Sequence, residues 1–187
     1  SMWRIGLKLS AAPQRGTLKR IHVGSEPLPA ALWQGICEWA GISRVYNMYG
    51  MTEAANWISG TSAEDSGFAE GAVGRPWTGN WRVLLEDGNI AEKGEGEVLL
   101  HDPALMSAYW NDPDSTAAAF HGSWFRTGDI GEIGANGELR ILGRLKHQIN
   151  RAGIKVTAEE IELLLEQHPE IQDVCAFGLP DAVSGEV

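Results

Sequence analysis

Apolar and polar positions change rhythm along the chain, and each rhythm predicts a different kind of structure. Residues 1–16 are polar and irregular. Residues 20–23 read as a short strand closed by Gly24-Ser25-Glu26-Pro27. Pro29 suits the first turn of a helix, where its missing N–H is not needed. Leu32, Ile36, Trp39 and Ala40 then recur at helical spacing, and Gly41 is a natural stop. Residues 42–46 read as a second strand, leading into "NMYGMTEA" at 47–54, which is expected to be a loop. A strand–helix–strand order with ligand-type loops after the strands predicts an α/β layer.

The rhythm then turns to short alternating runs. Residues 59–80 are rich in Gly, Ser and Ala and read as loop. Residues 81–85 and 96–100 read as strands, the first ending in an Asp87-Gly88 turn. Asp112-Pro113 opens a helix running to about Phe120, and 132–142 is a hairpin with Asn136-Gly137 at its tip. Helical spacing returns near the end. Thr157-Ala158-Glu159-Glu160 is a capping box, in which hydroxyl and carboxylate each take the other residue's amide. Ile161, Leu164, Leu165 and His168 follow on one face, Pro169 ends the helix, and 173–179 reads as a strand. The organisation expected is an α/β part at 1–80, a β-rich unit at 81–145 and a third section at 146–187. That last section is about the size at which a domain rarely folds alone, so it reads as a domain cut short.

Composition narrows the function. The chain has 187 residues, 43% hydrophobic and 21% charged, an ordinary globular balance. A net charge of −10 and a pI near 4.9 argue against a nucleic-acid partner. A nucleotide ligand stays open, because a few local donors serve one phosphate. No apolar run approaches the roughly 18 residues of a membrane span. Cys37 and Cys175 sit in apolar runs and read as reduced core thiols of a cytoplasmic protein. The eight tryptophans are scattered and read first as packing.

Four short pieces carry candidate chemistry. Gly24-Ser25-Glu26-Pro27 follows a strand, where a glycine lets a flat ligand lie on the backbone. In "NMYGMTEA", the Tyr49 face can stack on a base, worth about 1–3 kcal/mol. Gly50 permits close approach, the Thr52 hydroxyl can donate to a phosphate oxygen, and the Glu53 carboxylate can hold Mg²⁺. In "FRTGD", Asp129 can accept from both hydroxyls of a ribose. In "GRLKHQINRAG", Arg144 leaves a strand end and Lys146 lies where the β-rich unit gives way to the last section. Each piece alone also fits a plain helix entry, a turn or a solvated linker.

In this order the pieces resemble the adenylate-forming (AMP-binding) superfamily: acyl-CoA synthetases, luciferases and the adenylation domains of peptide synthetases. "HVGSEPLP", "NMYGMTEA", "GEVLLHDPALMSAYWNDPDSTAAAF", "WFRTGDIGEIGANGELRILGR" and "HQINRAGIKVTAEEIE" each resemble one of its segments, from about residue 17 onward. The resemblance implies an α/β (α+β) fragment: the end of a large domain's α/β layer, a small distorted β-barrel, and the start of a small C-terminal domain. It implies an ATP-dependent enzyme that joins a carboxylate to AMP and passes the acyl group to a thiol of CoA or a carrier-protein phosphopantetheine. Tyr49 would stack on adenine, Asn47 bond its amino edge, and Gly24 and Ser25 form the opposite wall. Thr52 would contact the α-phosphate and Glu53 bind Mg²⁺. Asp129 would take the ribose with Ile141 beside it, and Arg144 the ribose or phosphate. Lys146 matches the interdomain hinge and Gly153 the loop lining the pantetheine tunnel. Met48, Gly50 and Met51 would border the acyl pocket.

Two family elements, the upstream phosphate loop and a C-terminal lysine, lie outside the chain, so little adenylation is expected of it alone. Self-association is expected through surface that a missing sheet would cover. Met51 and "INRAG" resemble acyl-CoA synthetases, whereas "HQ" resembles peptide-synthetase modules. The alternative from another class is a naturally short, non-catalytic nucleotide-binding or carrier-docking protein derived from the family.

Overall fold

The computed structural model describes residues 2–14, 16–168, 170–171, 174–181, 183 and 185–186. It is a mixed α/β fold carried by three sheets that follow one another along the chain.

The first sheet pairs β1 (Ile21–Val23) parallel to β2 (Val45–Met51), with β3 (Asn56–Ser62) antiparallel on the other side. Two helices bear on it: α1 (Met2–Leu9) and α2 (Ala30–Ala40). The parallel connection is made by α2, which buries Trp33, Ile36 and Ala40 against Val45. The Trp33 indole N–H donates to the Val45 carbonyl at 2.8 Å, so its burial strands no donor. Gly41 ends the helix at φ 66°, where a side chain would be strained. The polar start of the chain is partly helical, a departure from the irregular reading. Trp3 and Leu7, one turn apart on α1, pack on the α2 cluster, and the Trp3 and Trp39 rings meet edge-on at 5.9 Å.

The segment at 47–54 is also not the loop its sequence suggests. β2 runs through Met51 because β3 pairs with it as far as Met51 opposite Asn56. Only Thr52–Ala54 turns, as one 3-10 turn. β3 gave no strand signal because its buried positions include Ser59, Thr61 and Ser62, small and polar. The expected loop at 59–80 therefore holds the end of β3, a short helix α3 (Ala63–Ser66) and β4 (Ala72–Gly74).

The second sheet comprises β4, β5 (Asn80–Leu84), β6 (Ile90–Ala91), β7 (Gly94–His101), β8 (Phe120–His121), β9 (Trp124–Ile133) and β10 (Leu139–Arg144). Its order is β4-β10-β9-β7-β5-β6, with β8 on β9 and every pairing antiparallel. The predicted hairpin is β9–β10, with Gly137 at φ 80° in its turn. A helix α4 (Pro113–Ala118) precedes β8, its amide at Ser115 capped by Asp112 at 2.9 Å. The sheet bends at register shifts in β7 and β10, yet among the described residues it does not close into the expected barrel. Its end strands β4 and β6 are three and two residues long. The chain after β4 turns to the first sheet instead, through a Ser59–Pro76 bridge and a Trp77 N–H bond to the Ile58 carbonyl at 2.9 Å.

A core of Val73, Trp81, Val83, Val98, Ile133 and Leu139 fills one face of this sheet. A smaller cluster of Ala54, Ile58 and Leu100 joins it to the first sheet. Tyr49 packs against both.

A 3-10 turn, Leu145–His147, leads into the third sheet. Its strands are β11 (Gln148–Arg151), β12 (Ile154–Thr157), β13 (Pro180–Asp181) and β14 (Gly185–Glu186), in the order β12-β11-β14-β13. The capping box opens α5 (Ala158–Leu165): the Glu160 amide donates to Thr157 Oγ1 at 3.3 Å, and the Thr157 amide to Glu160 Oε2 at 2.8 Å. Leu164 and Leu165 are exposed. The predicted end at Pro169 lies outside the described residues, as does Asp173. Residues 174–179 form no strand, with Phe177 and Leu179 exposed and no described strand alongside. Both cysteines are free, but Cys175 is exposed rather than in a core. No helix among the described residues is long and apolar enough to cross a membrane.

Candidate functional site

A cleft of about 1160 Å³ opens between the first sheet, the β10 end of the second sheet and the start of α5. Strand register builds its floor. β9 and β10 pair so that Asp129 lies directly opposite Arg144. The Arg144 Nε–H donates to Asp129 Oδ1 at 2.9 Å. From the other sheet, the Tyr49 hydroxyl donates to Asp129 Oδ2 at 2.5 Å. The Asp129 amide donates to Thr127 Oγ1 at 3.1 Å, and that hydroxyl donates to the Val98 carbonyl at 2.8 Å. One carboxylate thus ties a core tyrosine to a surface arginine.

Electrostatics follow from that position. Burial lifts the Asp129 pKa above the ordinary carboxylate value, and the negative charges of Glu159 and Glu97 add to the rise. The Tyr49 hydrogen bond and the Arg144 charge pull it back only in part. Burial, followed by the Asp129 charge and hydrogen bond, holds the Tyr49 hydroxyl well above its usual range. The phenol therefore stays a donor and its ring keeps a fixed place in the wall.

Asn47 and Ser25 also line the cleft. The Asn47 side chain donates Nδ2–H to the Ala72 carbonyl at 2.8 Å, which turns its amide so that Oδ1 remains an acceptor. Ser25 sits at φ 76°, a conformation that favours glycine. Ile141, Thr52 and Lys146 complete the sequence-chosen residues that face this space, together with the pocket-bordering Met48, Gly50 and Met51.

Three sequence-chosen residues are not in the lining. Gly24 lies behind it, where an added Cβ would come 3.3 Å from both Met48 Cβ and the Trp57 Nε1. Gly153 is in the β11–β12 turn at φ 88°, its amide donating to Asn150 Oδ1 at 3.1 Å. Glu53 stands beside the lining residue Thr52, and its Oε1 accepts the Tyr109 hydroxyl at 2.9 Å. Burial, then the Glu53 contact, raises the Tyr109 hydroxyl above its usual value.

Sequence reasoning missed Tyr109 as the anchor of Glu53, and missed the pair His147–Glu159. The His147 Nδ1 lies 2.8 Å from Glu159 Oε1, and both residues line the cleft. They meet because the β11–β12 hairpin folds back between them. No local pattern signals that meeting.

An α/β protein with its cleft at strand ends is a ligand-binding arrangement, and comparison with known proteins gives its family. The family model described as AMP-binding enzyme matches residues 1–110. The chain belongs to the AMP-binding enzyme family. It is 38% identical to oxalate–CoA ligase of Arabidopsis thaliana over 76% of this chain and 28% of that protein. It is 34% identical to 2-succinylbenzoate–CoA ligase of Geobacillus kaustophilus over 98% of this chain and 37% of that protein. Among solved structures it is similar to the o-succinylbenzoate CoA synthetase of Bacillus subtilis in complex with the acyl-adenylate intermediate OSB-AMP. There the TM-score is 0.85 at 28% identity, covering 100% of this chain and 38% of that one. The same synthetase is known with ATP and magnesium ion. The chain spans about a third of the length of the curated relatives it matches.

Proposed function

We propose that the protein carrying this chain is an ATP-dependent acid–thiol ligase. It activates a carboxylic acid as an acyl-adenylate, releases pyrophosphate, and passes the acyl group to the thiol of CoA or of a carrier protein. One observation carries the reading: Tyr49, 80 positions before Asp129, and the hairpin pair Asp129 and Arg144 are joined by hydrogen bonds at 2.5 and 2.9 Å on one cleft floor. Family membership and the CoA-ligase relatives support it.

In this reading the Tyr49 ring takes the adenine face and Asn47 Oδ1 accepts from the adenine amino group. Ser25 provides the opposite wall, backed by Gly24. Asp129 retains acceptor capacity for ribose hydroxyls, since an ionised carboxylate offers about four lone-pair sites. Ile141 packs beside it. Arg144 and Thr52 donate to phosphate oxygens, where charge builds as the carboxylate attacks phosphorus.

Magnesium keeps several waters and is commonly held by one or two carboxylates plus phosphates. Glu53 fits that role: Tyr109 fixes one of its oxygens and leaves the other for the ion. When bound, the ion would offset phosphate charge. Lys146 is read as the hinge between the β-rich unit and the section at 146–187. Gly153, outside the cleft here, would line the thiol path after rotation about that hinge. No observation favours the non-catalytic alternative.

The experiment is ATP–pyrophosphate exchange by the complete polypeptide, with a panel of aliphatic, aromatic and dicarboxylic acids. Exchange is expected with at least one acid and is expected to disappear in Asp129→Ala. Exchange that survives in Asp129→Ala, or is absent with every acid, overturns the reading.

A further inference from the structure

The His147–Glu159 pair has the geometry of an oriented base. Glu159 Oε1 lies 2.8 Å from His147 Nδ1. An ionised carboxylate only accepts, so Nδ1 carries the hydrogen, and in the neutral ring it is Nε2 that holds the lone pair. A carboxylate that fixes the tautomer of an imidazole is the arrangement that lets histidine take a proton from a nucleophile. His147 remains 46% exposed, so a ligand in the cleft can reach its ring, while Glu159 is 21% exposed.

The carboxylate is firmly placed. Its Oε2 is buried without a hydrogen-bond partner, so the contact with the imidazole is the hydrogen bond that compensates its burial. It rests over Gly143, where an added Cβ would come within 2.8 Å of that oxygen. The Thr157–Glu160 capping box fixes the turn of α5 from which it projects. Both members of the pair lie after Lys146, so a rotation about that residue carries them together. The other charged groups that line the cleft are Glu160 on α5, Asp129 on β9, Arg140 and Arg144 on β10, Lys146 beside the histidine, and Glu26 and Glu70 from the first part of the chain. Glu160 is committed to the Thr157 cap and Asp129 to Tyr49 and Arg144. Glu70 accepts the Ala30 amide, and among these groups His147 is the one whose basic nitrogen a carboxylate orients.

We propose that His147, oriented by Glu159, is the general base that deprotonates the acceptor thiol in the acyl-transfer step. The proposal rests on the acid–thiol ligase reading. The S–H bond breaks and its proton passes to His147 Nε2. The sulfur electron pair forms the bond to the acyl carbon. The bond from that carbon to the phosphate oxygen breaks, and AMP leaves with the electron pair. The imidazolium then releases its proton to water. Glu159 acts through His147 and is a positioning residue.

The test uses the complete polypeptide, preformed acyl-adenylate and CoA as the probe, followed in single-turnover mixing across pH. His147→Gln is expected to slow thioester formation about 100-fold near neutral pH, within the usual range of general-base catalysis. The deficit is expected to shrink as pH rises, because solution thiolate no longer needs the base. Glu159→Leu removes the acceptor that holds the hydrogen on Nδ1 and is expected to give the same pH-dependent loss. ATP–pyrophosphate exchange is expected to fall less than acyl transfer in both variants, and circular dichroism matching the unmodified protein shows that they are folded. An unchanged transfer rate, a loss equal at every pH, or an equal loss in both half-reactions overturns the proposal. Absence of exchange in the unmodified protein overturns the ligase reading itself, a distinguishable result.

Discussion

Asp129 and Arg144 form one ion pair, yet the acid's side chain is 3% exposed and the guanidinium's is 51% exposed. The same contrast divides the cleft. On one side stand Asn47, Tyr49 and Asp129, held by the packing of two sheets and by hydrogen bonds to Ala72 and to one another. On the other stand Arg144 at the end of β10, and Lys146, His147 and Glu159 on a surface 3-10 turn and a helix start. The first wall is part of the core, so packing and buried hydrogen bonds hold its geometry. The second wall is placed by a hairpin and a few polar contacts, which makes it cheaper to move and suited to a step that needs motion.

Substitutions can break this contrast. The largest effect is expected from Tyr49→Ala in this chain, which removes a ring shared by two clusters and the Asp129 hydrogen bond. A loss of about 3 kcal/mol is expected, read from urea unfolding. A loss below about 1 kcal/mol would show that the tyrosine wall is not core. Next comes Gly143→Ala, where the new Cβ would lie 2.9 Å from Thr157 Cβ, an atom that cannot swing away. About 2 kcal/mol is expected. Hydrogen exchange should speed up at 158–165 while the first sheet is unaffected. Equal acceleration in both regions would count against separate walls.

The smallest effect is expected from Arg144→Ala, about 1 kcal/mol near neutral pH because the arginine is half exposed. Its sign follows from the acid. Burial already lifts the Asp129 pKa and Arg144 holds it down, so removing Arg144 lifts it further. A folded-state carboxyl pKa above its unfolded value keeps a proton that the unfolded chain has released. Stability therefore falls as pH climbs from the ordinary carboxylate value through the raised one. The Arg144→Ala deficit should be present at neutral pH and vanish at a pH below the ordinary aspartate range. A deficit independent of pH would mean that Arg144 acts through packing alone.

Much of the fold was legible. The α2 pattern, the Asp112 cap, the Asn136-Gly137 turn and the capping box at Thr157 are local choices, and each is met in the structure. Failures came where no local signal existed. β3 hides its burial in Ser59, Thr61 and Ser62, so the partner strand that keeps 47–51 extended was invisible. α1 was missed because its apolar contacts, Trp3 and Leu7, matter only once α2 is beside them. The β-rich unit stays open because the chain after β4 bonds to the first sheet, a long-range preference that strand-by-strand reading does not weigh.

What the sequence determined by itself is the supply of groups: a tyrosine, an asparagine, a threonine–glutamate pair, an aspartate and an arginine, each in a recognisable run. Tertiary structure decided how they combine. β9–β10 register set Asp129 against Arg144, and the joining of two sheets brought Tyr49 to the same carboxylate. Tyr109 reached Glu53 across more than fifty positions, and a hairpin delivered Glu159 to His147. Side-chain chemistry is written residue by residue, but the distances between groups belong to strand pairing and packing, and no short stretch of chain contains them.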